Sequence, residues 1–102
     1  MDRRLKEIIK RIVEETDPDK IILFGSRAKD KGKIGSDYDI CVLKSDKIKR
    51  NDLEKRIYQK LYGLGIPIDI IVETTERFKK LKDNKFLIYR EIARHGRTIY
   101  EK

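Results

Sequence analysis

The chain has 102 residues, 43% of them charged and 38% hydrophobic, and its 26 Lys and Arg against 18 Asp and Glu leave a net charge of +8. That length fits a single domain over residues 1–102 and excludes a large multi-domain enzyme; one cysteine, Cys41, excludes a disulfide scaffold. No apolar run approaches the ~20 residues of a membrane-spanning helix. The charge favours an anionic partner, and the charged start, Met1-Asp2-Arg3-Arg4, does not read as a signal peptide, so a cytoplasmic protein is expected.

Leu5, Ile8, Ile9, Ile12 and Val13 recur at helical spacing, which predicts an amphipathic helix over 3–16, broken by Asp17-Pro18-Asp19. Ile21 to Phe24 is a short apolar run ending at Gly25 and reads as a strand buried on both faces. A short turn or helix is expected to start at Gly25 to Arg27. A polar loop with Gly32 and Gly35 follows, then a second strand over Tyr38 to Leu43. Leu53, Ile57, Leu61 and Leu64 predict a helix from Asp52, with Gly63 and Gly65 as stops. A third strand is expected over Ile66 to Val72, with Pro67 near its start. Thr74 or Thr75 is expected to cap a short helix around Arg77 to Leu81. Asp83 or Asn84 is expected to cap another, with Phe86, Tyr89, Ile92 and Ala93 on its apolar face and Gly96 closing it. Thr98 to Tyr100 reads as a last strand. This order implies an α/β or α+β domain with a helix-covered sheet.

Two short features carry chemistry. Asp37 and Asp39, two apart at the start of a strand, point to one face, roughly 7 Å apart. Two such carboxylates repel each other at the rim of a core, and a hard divalent cation resolves the conflict. Asp69, inside the run Ile66 to Val72, is costly to bury unless paired or metal-bound. A neighbouring strand bringing it beside the pair would assemble three ligands for Mg²⁺, with Glu73 as the fallback third. Gly25-Ser26, at the end of the first strand, offers a close backbone approach, amide donors and a hydroxyl for phosphate oxygens, with the positive charge of Arg27 and Lys29 nearby. Cys41 reads as a small buried hydrophobe and His95 as a cation at a helix end.

Gly25-Ser26, ten intervening residues and Asp37-Tyr38-Asp39 resemble the signature of the polymerase-β-like nucleotidyltransferases. The stretch Leu23 to Ala28 and the ending Arg90 to Tyr100 resemble the minimal nucleotidyltransferase subgroup over nearly the whole chain. The resemblance implies a small mixed sheet covered by helices. It also implies that Ser26, with Gly25 and Arg27, binds the triphosphate of ATP and that Asp37, Asp39 and Asp69 hold two Mg²⁺ ions. It further implies transfer of AMP to a hydroxyl, such as a Tyr of a HEPN-type helical toxin for which the chain is the antitoxin. The alternative is a non-catalytic antitoxin that neutralises its partner by covering it. Larger relatives bind long nucleic acids with extra domains that are not expected here, so a long nucleic-acid substrate is not expected, and Asp30 stands where many relatives have Gly.

Overall fold

A computed structural model describes residues 2–29, 37–45 and 49–102. The loop with Asp30, Gly32 and Gly35, and the basic residue Lys47, lie outside the described residues.

The elements in chain order are α1 (Arg3–Thr16), β1 (Lys20–Phe24), a 3-10 helix (Ser26–Lys29), β2 (Tyr38–Lys44), α2 (Arg50–Leu61), β3 (Ile68–Thr74), α3 (Thr75–Leu81), α4 (Ile88–His95) and β4 (Arg97–Glu101). The strands form one mixed sheet in the order β3-β2-β1-β4. β2 runs parallel to β3, while β1 is antiparallel to both β2 and β4.

The central strands are apolar on both faces because both are covered. On one face Ile21, Leu23, Tyr38, Ile40 and Val42 pack with Ile8 and Ile12 of α1 and Leu53 and Ile57 of α2. On the other, Ile22, Phe24, Cys41 and Leu43 pack with Phe78 of α3 and Ile92 of α4. Burial of these side chains is the main stabilising term, since each contributes about 1.5–3 kcal/mol.

Local chemistry sets the ends. The Asp2 carboxylate caps α1 by accepting from the Leu5 amide at 2.7 Å. Asp17 terminates α1 in the left-handed region at φ 45°. Thr74 caps α3, its hydroxyl accepting from the Arg77 amide.

Two expectations are corrected. α2 ends at Leu61, before Leu64, although Leu64 still packs on the core. The last helix starts at Ile88, not at Asp83 or Asn84. The Asn84 side chain instead accepts from the Phe86 amide within a turn, which leaves Phe86 84% exposed ahead of the helix. Ala93 is exposed as well.

Candidate functional site

The parallel register of β2 and β3 sets Asp39 directly beside Asp69. Adjacent strands lie about 4.8 Å apart, so both carboxylates leave the same face as neighbours. The antiparallel register places Phe24 opposite Asp39, so Gly25 comes to the same spot from the other side. Gly25 has φ +73°, and a Cβ built there would run into the Asp39 carboxylate. Glycine is therefore required twice, by backbone conformation and by space. Its carbonyl accepts from the Ala28 amide at 3.2 Å, closing the 3-10 helix that starts at the exposed Ser26.

Asp37 is exposed and lies just before β2. Partial burial, the charge of Asp69 and that of Asp37 together raise the Asp39 pKa. Those causes identify the three acids as one electrostatic group.

Asp69 is exposed at the start of the edge strand β3, not buried in mid-run. The cost of burial therefore does not explain it, and proximity to Asp39 does. Among the described residues, no three His, Cys, Asp or Glu side chains stand close enough together to enclose a metal ion. The donors do suit a hard cation that keeps its waters and takes phosphate oxygens. Asp39 and Asp69 are carboxylates under mutual repulsion, and the Gly25 backbone leaves the space beside them open.

The fallback ligand, Glu73, is corrected. It pairs in register with Leu43, four residues along β3 from Asp69 and thus about 13 Å away. It is fully buried and accepts from Arg50 at 2.8 Å, Arg77 at 3.0 Å, the Tyr89 hydroxyl at 2.6 Å and the Thr74 amide at 2.9 Å. Burial alone would raise its pKa, but the Tyr89 hydroxyl, the Thr74 amide and the two guanidiniums outweigh that and lower it. Cys41, on the same sheet face, is buried, and burial with the charge of Glu73 pushes its thiol up to about 12. It is inert packing, as expected.

Arg27 lies with its guanidinium carbon 4.0 Å from the centroid of the Tyr38 ring. Tyr38 belongs to the α1 and α2 face, opposite the carboxylates, and its hydroxyl donates to Asp2 at 3.1 Å. This places Arg27 as an anchor for the 3-10 helix, so that Ser26 is held from behind. The sequence gives no sign of that Asp2–Tyr38–Arg27 stack, since its members are distant along the chain. On the carboxylate side, Lys29 pairs with Glu91 of α4 at 3.2 Å. His95 is exposed in the last turn of α4.

A cleft of about 510 Å³ lined by Asp19, Lys20, Leu43, Thr75 and Phe78 opens at the other end of the sheet. Leu43 is four residues from Asp39, so this cleft is about 13 Å from the carboxylates and separate from them.

No curated protein sequence matches the chain significantly. Among solved structures, a toxin–antitoxin complex with AMP-PNP contains a chain that superimposes with a TM-score of 0.67 at 20% identity, over 99% of this chain and 75% of that one. A protein from Sulfolobus solfataricus described as a candidate nucleotidyltransferase gives 0.68 at 16% identity, over 98% and 79%. The toxin–antitoxin MntA–HpeT, in a variant with two Asp-to-Glu changes, gives 0.67 at 20% identity, over 99% and 75%. These likenesses establish the fold. The family model for the polymerase beta nucleotidyltransferase domain matches residues 6–102, nearly the whole chain, and the chain therefore belongs to that nucleotidyltransferase family.

Proposed function

We propose that the protein is an Mg²⁺-dependent nucleotidyltransferase that moves AMP from ATP to a hydroxyl of a partner protein. In this reading the acceptor is a Tyr of a HEPN-type helical toxin, and the chain is its antitoxin. The observation that carries the reading is the register that sets Asp39 beside Asp69, with the Gly25 backbone against Asp39. The likeness to chains of toxin–antitoxin complexes, one with AMP-PNP, supports the nucleotide and the kind of partner.

Asp39 and Asp69, adjacent in register, would hold Mg²⁺, with Asp37 drawn in as the triphosphate completes the shell; the ion would supply charge neutralisation at the phosphates and acidify the attacking hydroxyl. The chain's own groups do the rest. The Ser26 hydroxyl and the amides behind Gly25 hold the β- and γ-phosphates, whose negative charge the net +8 surface attracts. The Arg27–Tyr38 stack keeps Ser26 in place. The acceptor oxygen bonds to the α-phosphorus, the bond to the bridging oxygen breaks, and pyrophosphate leaves. The hydroxyl proton departs through Asp69, which is open to solvent.

The test is co-expression with the partner protein, followed by intact-mass spectrometry. Wild type is expected to add the mass of one nucleoside monophosphate to the partner, and Asp39→Asn to add none. An unmodified partner that wild type nonetheless neutralises would establish the non-catalytic antitoxin instead.

A further inference from the structure

We infer that the α3–α4 connection and the cationic side of α4 form a docking surface for an acidic protein segment, which becomes the acceptor. Only the last clause rests on the nucleotidyltransfer reading.

Phe86, Leu87 and Ile88 are consecutive and are 84%, 38% and 48% exposed. The turn that presents them is fixed by bonds, because the Asn84 side chain accepts from the Phe86 amide and its carbonyl accepts from the Leu87 amide. Three adjoining large apolar side chains at one helix entrance form a patch, whereas isolated ones need no explanation.

A cleft of about 390 Å³ opens beside it, lined by Lys85, Leu87, Arg90, Glu91, Arg94 and His95. The acid in that lining, Glu91, is engaged by Lys29. Asp83 is the acid of the connection, against Lys82, Lys85, Arg90 and Arg94. The surface therefore sets an apolar patch against a positively charged cleft. Its complement is a helix with an apolar ridge flanked by Asp or Glu.

Position links this surface to the site. α4 packs through Ile92 on the sheet face that carries Asp39 and Asp69. The Lys29–Glu91 pair ties α4 to the 3-10 helix that begins at Ser26, about 6 Å along its axis from Lys29. A protein seated there lies beside the phosphate end of the site.

The test uses two fluorescent helical peptides with one tyrosine and the same leucine stripe, one flanked by Glu and the other by Lys. Anisotropy titration at physiological salt should show the acidic peptide binding at least about tenfold more tightly. Phe86→Ser with Ile88→Ser, and separately Arg90→Glu with Arg94→Glu, should each weaken it by about tenfold or more. Lys6→Glu with Lys10→Glu, the same charge change on the exposed side of α1, should weaken it by less than about threefold. Equal loss in the α1 control, or undiminished binding in either surface variant, would overturn the proposal. So would a short RNA that binds through Arg90 and Arg94 more tightly than the acidic peptide. Labelling from α-labelled ATP separates the two readings. Wild type that binds the peptide but labels no tyrosine refutes nucleotidyl transfer to it and leaves the surface standing. Labelling of tyramine with no preference between the peptides refutes the surface alone.

Discussion

Asp39 and Glu73 stand on one face of one sheet, and their carboxyls are displaced in opposite directions. The raised Asp39 carboxyl contributes stability that is full below its ordinary value of 3.8 and is lost as pH rises through the folded value. The lowered Glu73 carboxyl contributes stability present above its ordinary 4.5 and lost as pH falls through the folded value. Without nucleotide, Asp39→Asn should therefore be at least as stable as wild type at neutral pH and lose that advantage on acidification. Urea melts across the acid range check this, and an apo destabilisation at neutral pH would contradict it. Gly25→Ala should cost about 1–2 kcal/mol through its left-handed backbone. Because the added methyl displaces the Asp39 carboxylate, it should also abolish Mg²⁺–ATP binding, read in the same melts with ligand.

At the scale of elements, the site is where four elements meet: the end of β1 just before Gly25, the start of the 3-10 helix at Ser26, and the starts of β2 and β3. The periodicities of α1 and the apolar runs of β1 and β2 made most of these elements legible, because each is buried along one helix stripe or on both strand faces. Asp37-Tyr38-Asp39 and Gly25-Ser26 were legible for the same reason: polar residues at the edge of strong apolar runs. The role of Glu73 was not, because its partners Arg50, Arg77 and Tyr89 come from three helices that local pattern cannot bring together. The start of α4 was misplaced because Asn84 caps a turn with the same side-chain bond that caps a helix. Glu73→Gln should cost roughly 1–3 kcal/mol, since it weakens the buried acceptor's bonds while the two guanidiniums, about half exposed, stay hydrated. It should nonetheless keep the full thermal shift with Mg²⁺–ATP, because Glu73 pins α2, α3 and α4 to the sheet and holds no ligand. A lost ligand shift with an unchanged apo melting point would return Glu73 to the site.

Across the whole molecule, one sheet separates two tasks. The α1 and α2 face supplies the larger core, and Arg27 and Tyr38 tie the Gly25-Ser26 turn to it. The α3 and α4 face carries the acids and the second core. Among the described residues, no helix is long and apolar enough to cross a membrane. Ligand that binds only the folded site stabilises by mass action, so Mg²⁺–ATP at a hundredfold excess over Kd should add about 2.7 kcal/mol. Substitutions on α1 should leave that increment intact.

The most direct measurement of the central claim is calorimetric titration of Mg²⁺–ATP into wild type, Asp39→Asn, Asp69→Asn and Glu73→Gln at neutral pH. The site described here predicts saturable binding by wild type and Glu73→Gln and at least about a tenfold loss in each Asp variant, the loss of a charge-assisted ligand worth ~1.4 kcal/mol or more. Undiminished binding in both Asp39→Asn and Asp69→Asn would contradict it and move the nucleotide away from the β2–β3 pair.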